Sequence, residues 1–414
     1  MKPIFIALSP NTEKDDVKLA WSLLFSPQKW QKGKEIKELE ESFKKCFQAK
    51  FSISFSSGRT ALWAILKALG IKNGDEILLQ AYTCVVVPNS ITSFNAKPVW
   101  VDINPKTFNM DVEDLKKKIS KKTKAVIVQH TFGQPAEIEK IVEIAREHDL
   151  LVIEDCAQSL GGEYRGKKLG AFGDVAFFSF GRDKIISSVF GGMAITNSVK
   201  IGKRLKQIQG GLDFPPKTWV FQQLIHPLAF ALIISIYSFF GLGKILHFLG
   251  QKSSFLSRAV YKEEKLGRMP KVLLAKLPNG LAALALKQFK KLEKFNSHRQ
   301  KIAKFYNREL RGLPLELPQV EPARRHVFLR YTIKTEKAEG LIHFAKKRGL
   351  YLGDWYRPVI APEGVDFKKV FYQAGSCPKA EKASLMSVNL PTHPKMRMED
   401  AKKVVFTVKK FFKQ

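Results

Sequence analysis

Cysteine is scarce. Cys46, Cys84, Cys156 and Cys377 are the only four in 414 residues, far apart and with no C-x-x-C pair. Such spacing offers neither a disulfide framework nor a zinc module, and no metal site is expected. Separated free thiols suit a reducing compartment. The first ten residues hold only a short apolar stretch, too little for a secretory leader, so a cytoplasmic protein is expected. Glycine (27) and proline (20) are in ordinary supply, which excludes a collagen-like or low-complexity chain. Acidic residues are few, 38 against 70 lysines and arginines, for a net charge of +32. That excess is either a solvated lysine-rich surface or a match for an anionic partner: nucleic acid, membrane or phosphate-bearing substrate. No nucleic-acid-binding motif accompanies it, so nucleic acid is not expected as a partner. Internal repeats are absent too.

What is present is apolar surface, 45% of residues, enough to exclude a disordered chain. The length of 414 residues suggests two or three domains. Between residues 51 and 200 strands and helices alternate. Phe51–Phe55 alternates apolar and polar as a strand does, and Thr60–Leu69 has helical spacing ending at Gly70. Strand-like runs recur at Asp75–Tyr82, Lys97–Ile103, Lys124–His130 and Leu150–Asp155, with an amphipathic helix over Ala136–Asp149. Strands separated by helices of this length predict crossover connections and a largely parallel sheet. Ligands of such sheets lie at the carboxyl ends of the strands.

Beyond residue 200 the character changes. Thr218 to Gly243 holds no Lys, Arg, Asp or Glu, and Lys200 to Leu310 carries 21 basic against 5 acidic residues. A long lysine-rich helix is expected over about Asn279–Leu310. The remainder mixes a strand-like His326–Ile333 with helices over Lys337–Arg348 and Met398–Phe412, as in a small α+β domain.

Four features of the parallel region carry chemistry. Ser56-Ser57-Gly58-Arg59-Thr60 ends a strand and opens a helix, where backbone N–H groups favour an anion such as phosphate. Asp155 ends an apolar strand, where a carboxylate can pair with a protonated ring nitrogen, and Gln158 follows three residues on. The apolar strand Ala176–Phe180 delivers Ser179 and then Lys184; an apolar setting with cations nearby drives an amine towards its neutral, nucleophilic form. Gly191-Gly192 lets the backbone pass close to a ligand or turn sharply.

Together these features, with Lys184 29 residues after Asp155, resemble a fold-type-I pyridoxal-phosphate enzyme. More closely, the chain resembles the DegT/DnrJ/EryC1/StrS aminotransferases, which aminate keto sugars attached to nucleotides. Trp30–Glu40, His130-Thr131-Phe132-Gly133-Gln134-Pro135-Ala136, Lys276–Gln288 and Glu381–Pro391 carry the likeness beyond the four motifs. It covers roughly 20–200 and 268–410. The resemblance implies an α/β fold: a large domain with a mostly parallel mixed sheet sandwiched by helices, and a small α+β C-terminal domain. It implies Lys184 as the lysine that bonds the cofactor aldehyde, Asp155 as partner of the ring nitrogen and Gln158 on the ring. Ser179, Gly58 and the residue after Gly58 would hold the phosphate. Relatives with His at the lysine position dehydrate sugars, so Lys184 argues for transamination. The implied partners are a keto sugar, an amino donor and a second copy of the chain in a homodimer.

The sequence departs from the family pattern in three places. The usual Gly-Thr of the phosphate turn is Gly58-Arg59, with Thr60 next; Arg59 would replace a hydroxyl contact with a charged one, or point away. The stacking aromatic falls at Cys84, and Tyr82, on the same face of an extended segment, is the expected substitute. The Asn that relatives lend from a neighbouring subunit falls near Leu274.

The expected division is an N-terminal segment 1–50, a cofactor-binding domain 51–275 and a C-terminal part 276–414. The apolar insert at about 218–255 is long enough to span a bilayer, but Pro227 interrupts it and its flanks belong to one fold. A hairpin docked on an anionic membrane from the cytoplasmic side is expected; the alternative packs it on the enzyme or at a dimer interface. Two other functions share the fold: a pyridoxal-dependent sugar dehydratase, and a non-catalytic membrane-associated relative.

Overall fold

The computed structural model describes residues 3–237, 241–252 and 255–414; Ser238–Phe240 and Ser253–Ser254 of the expected insert lie outside the described residues. Seven strands form the main sheet: β1 (Phe51–Phe55), β2 (Glu76–Gln80), β3 (Lys97–Val101), β4 (Thr123–Gln129), β5 (Leu151–Asp155), β6 (Val175–Ser179) and β7 (Gly192–Thr196). Their spatial order is β1-β7-β6-β5-β4-β2-β3, and only β7 runs antiparallel to its neighbours.

Helices cover both faces, which explains the near-continuous apolar runs of these strands. Val126, Val128, Val152 and Phe178 point to one face. Ala125, Ile127, Ile153 and Phe177 point to the other. The first face is covered by α1 (Lys14–Leu24), α2 (Glu35–Phe47) and, further along, helix Ile138–Glu147. On the second lies α3 (Gly58–Leu69), capped at its start by the Ser57 hydroxyl, which accepts from the Thr60 N–H, and ended by Gly70 in the left-handed region (φ +79°). This mostly parallel sheet between helices is the α/β arrangement expected of fold type I.

The insert is a pair of helices, α4 (Lys217–Ser235) and α5 (Leu242–Lys252). The first continues through Pro227 where the sequence reading placed an interruption; the proline removes one backbone donor without ending the helix. It packs on α1 and on α6 (Asn279–Phe289), with Trp219, Val220 and Leu224 joining the main core and Phe230 and Ile233 buried with Leu256 in a separate small cluster. Its length and composition would let it cross a membrane, yet 44% of its most apolar window is buried inside the protein.

The expected single helix over 279–310 is instead α6 followed by α7 (Leu292–Glu309). They break at Lys290–Lys291, where the Lys291 ammonium turns back to Glu13, Asp15 and Asp16 at the start of α1. The C-terminal layer pairs strand Tyr331–Lys334 antiparallel with Ser387–Leu390 under helices Ala338–Lys346 and Met398–Phe412. Two short pairings stitch this layer to the rest: Ile4–Phe5 lies parallel to Leu350–Tyr351, and Thr83–Cys84 parallel to Ile360–Ala361.

Candidate active site

The strand order brings the chemistry to one edge. In register, Phe55 lies opposite Gly192, Gly192 opposite Ser179, and Phe177 opposite Asp155. The carboxyl ends of β1, β5 and β6 and the start of antiparallel β7 therefore meet, and a cavity opens above them. Gly58, Asp155, Gln158, Ser179 and Lys184 all line it.

The turn at Ser57–Gly58 is built for close approach. A Cβ on Gly58 would lie 2.8 Å from the Ser179 Cβ, and one on Gly192 would lie 2.5 Å from both the Gly58 nitrogen and the Ser57 carbonyl carbon. Backbone thus fills the space that side chains would take, and the start of α3 stays open to the cavity. The Ser179 hydroxyl sits between this turn and the Lys184 loop, accepting from the Gly181 N–H at 3.4 Å.

Lys184 is half-buried on the cavity wall. Burial lowers its pKa, and the attraction of Asp155 only partly opposes this. Asp155 is buried at the end of β5, with Oδ1 accepting from the Ala157 N–H at 3.0 Å. Burial pushes its carboxyl up, against the Ala157 N–H, Lys184 and His130. A carboxylate so placed gains most from a cation brought into the cavity. Gln158 is fixed at both ends: Oε1 accepts from the Phe132 N–H at 3.0 Å, and Nε2 donates to the Tyr356 hydroxyl at 2.5 Å.

Three sequence-based assignments change. Tyr82 does not line the cavity. Its φ of +64° breaks the extended alternation that would put it on the face of Cys84. Its ring is fully buried against Phe108, and its hydroxyl donates to the Trp355 carbonyl at 2.9 Å and meets Ser387 Oγ at 2.7 Å. Cys84 lines the cavity, as do Phe132 and Tyr356, whose rings stack 5.9 Å apart. Thr60 turns inward, its hydroxyl bonded to the Leu273 carbonyl and to Ser57 Oγ. Arg59 lines the cavity, but its guanidinium is paired with the buried Glu264 and donates to the Ala259 carbonyl at 2.8 Å.

Sequence reasoning missed two buried arginines. Arg330 stacks 3.6 Å over the Trp355 ring and leaves Nη1 without a hydrogen-bond partner. Arg182 donates to the Ser257 carbonyl and hydroxyl at 2.6 and 2.8 Å, and Ser257 Oγ donates to Gln223 of α4 at 2.7 Å. Burial lowers both arginines to about 10, so both remain cations at neutral pH. With Trp219 packed 5.4 Å from Phe190, and with Ala259 and Val260 lining the cavity, the insert and its return segment build one wall of the site. The neighbouring His130–Glu154–Cys156 cluster is occupied internally. Both Glu154 oxygens accept backbone N–H groups of Gly170, Phe172 and Gly173, and His130 Nδ1 accepts from Ala136.

These residues fit pyridoxal phosphate. The glycine cradle would take the phosphate, Asp155 the ring nitrogen, and Lys184 the aldehyde.

A family model described as the DegT/DnrJ/EryC1/StrS aminotransferase family matches residues 11–218 and 244–409, leaving out most of α4. GDP-perosamine synthase of Caulobacter vibrioides is 30% identical over 377 residues, covering 90% of this chain and 89% of its own. UDP-N-acetyl-3-dehydro-alpha-D-glucosamine 3-aminotransferase of Acidithiobacillus ferrooxidans is 27% identical, covering 86% and 83%. Among solved structures, Helicobacter pylori PseC, an aminotransferase involved in pseudoaminic acid biosynthesis, shares the fold at a TM-score of 0.77. It is 20% identical and covers all of both chains.

Proposed function

The chain belongs to the DegT/DnrJ/EryC1/StrS aminotransferase family, and on that premise we propose that it transfers an amino group to a keto sugar carried on a nucleotide. The enzyme is a pyridoxal-phosphate-dependent transaminase, and the proposed donor is glutamate or glutamine. The observation that carries the reading is the convergence of Lys184, Asp155 and the Gly58–Gly192 cradle on one cavity. The sugar nucleotides in its relatives' names support the substrate class.

Bound pyridoxal phosphate supplies an aldehyde and a ring that draws electrons from the carbon bearing the amine. The chain supplies the rest. Asp155 holds a proton on the ring nitrogen through its negative charge. Lys184, whose pKa burial lowers, would supply the Nζ that takes up and returns the proton of the reacting carbon. Gln158, held by Phe132 and Tyr356, keeps its position on the ring side of the cavity. Arg330, with an unpartnered nitrogen, offers a charge to an anionic substrate group.

Borohydride reduction of cofactor-loaded protein, followed by peptide mapping, should find the cofactor on Lys184. A panel of GDP-, UDP- and dTDP-linked keto sugars with each donor then identifies the substrate. Labelling elsewhere, or a transaminating Lys184→Ala protein, refutes the assignment. We also propose a cytoplasmic homodimer in peripheral contact with an anionic membrane. The family pattern of a shared active site supports the dimer, and the exposed insert supports the membrane contact.

A further inference from the structure

We propose that α4–α5 is a docking element that seats the enzyme in the plane of an anionic bilayer surface without crossing it. This specifies the membrane contact proposed above and rests on it. The family match omits residues 219–243, which take in most of α4, and resumes at 244, so α4 is the part that departs from the shared framework while α5 lies almost wholly within it. Its two sides differ. Trp219, Val220 and Leu224 of α4 join the main core of the enzyme, whereas Phe230 and Ile233 pack with Leu256 in a separate small cluster. The outer side exposes Leu232 (56%), Ile245 (52%), Phe248 (64%) and Leu249 (51%). Between the two helices runs an apolar groove in which, among the described residues, Lys252 is the only charged one lining it.

Charge selects the occupant. No Asp or Glu lies between Asp213 and Glu263, whereas Lys217, Lys244, Lys252, Arg258 and Lys262 fall in that span. Apposing two copies of such a face would bring like charges together, while an anionic bilayer offers both opposite charge and hydrocarbon. A crossing is disfavoured by the shortness of α5 and by the packing of α4, whose own length would suffice. At about 1.5 Å per residue, the 11 residues of α5 reach about 16 Å, half of the ~30 Å hydrocarbon core. The buried side of α4 is already committed to protein. The geometry is that of an interfacial helix, with Phe248 and Leu249 entering the acyl boundary and the lysines at headgroup level.

The test uses full-length, cofactor-loaded protein and sucrose-loaded phosphatidylcholine vesicles with or without phosphatidylglycerol. Binding is expected to the anionic vesicles, weakened by high salt because surface charges are screened within ~8 Å at physiological ionic strength. Phe248→Glu combined with Leu249→Glu should lower partitioning about tenfold or more. Lys244→Glu combined with Lys252→Glu should lower it mainly at low salt. Both variants should keep the wild-type melting temperature, cofactor absorbance and oligomeric state. Absence of binding, equal binding to neutral vesicles, or variants that bind as wild type overturn the proposal. So does a variant that loses its dimer, which would make this face a contact between copies, and so does native protein that resists alkaline carbonate extraction. No substrate enters this assay, so its outcome is separate from that of the transamination assay.

Discussion

Replacing Gly192 by Ala puts a methyl group 2.5 Å from the Ser57 carbonyl and from the Gly58 nitrogen. Carbon contacts settle at about 3.5 Å, so the turn must withdraw by roughly 1 Å. Neither neighbour is a flexible side chain that could swing away; both are backbone, pinned by the pairing of Gly192 with Phe55 and Ser179. Overpacking of this kind costs about 1–3 kcal/mol. The functional cost is separate. A phosphate hydrogen bond at about 2.9 Å does not survive a 1 Å retreat. Losing one charge-assisted bond is worth about 1.5–3 kcal/mol, or roughly 10- to 150-fold in cofactor Kd. Cofactor titration followed by absorbance reads the affinity, and thermal melting reads the stability. Gly210→Ala is the control, because a Cβ there meets nothing within 4 Å. A Gly192→Ala protein with wild-type cofactor affinity would show that the start of α3 is not where the phosphate binds.

Asp155→Asn should retain cofactor but slow the half-reaction with the amino donor by about 100-fold or more, since a neutral amide no longer holds the ring proton; a near-normal rate in stopped-flow absorbance would give Asp155 another role. Tyr82→Phe should cost about 1–3 kcal/mol in thermal or urea unfolding, because the Trp355 carbonyl loses its donor, while cofactor affinity stays unchanged. The opposite pattern, altered affinity at full stability, would return Tyr82 to the cofactor's face.

The sheet was legible because its strands are covered on both faces and read as unbroken apolar runs ending in polar residues. Asp155 and Ser179 stand where such runs stop, and Lys184 follows five residues after the second, which is what singled these candidates out. What failed was local geometry that a pattern does not carry. A single positive φ at Tyr82 reverses which side chain faces the cavity. Arg59 is expected either to meet the phosphate or to point away, and what the sequence pattern does not carry is its partner, Glu264, supplied by the insert's return segment from 205 residues away. Arg330, Trp355 and Tyr356 arrive from the C-terminal layer, and no spacing within residues 51–200 points to them. Arg182 stands two residues before Lys184, but with Asp183 beside it in the sequence nothing marked it as buried.

The pairing of Ile4–Phe5 with Leu350–Tyr351 has a consequence for biogenesis. Ile4 waits for a partner 346 residues downstream. At about 5–20 residues per second that is roughly 20 to 70 s on the ribosome, with the first strand unsatisfied throughout. The pairing of Thr83–Cys84 with Ile360–Ala361 extends the wait to the strip beside the cavity. The nascent sheet therefore exists for tens of seconds with its mouth unroofed and the apolar α4–α5 pair already emerged. That interval favours early capture by a chaperone or a lipid surface, so a stop codon before residue 350 should yield aggregate rather than a smaller folded domain.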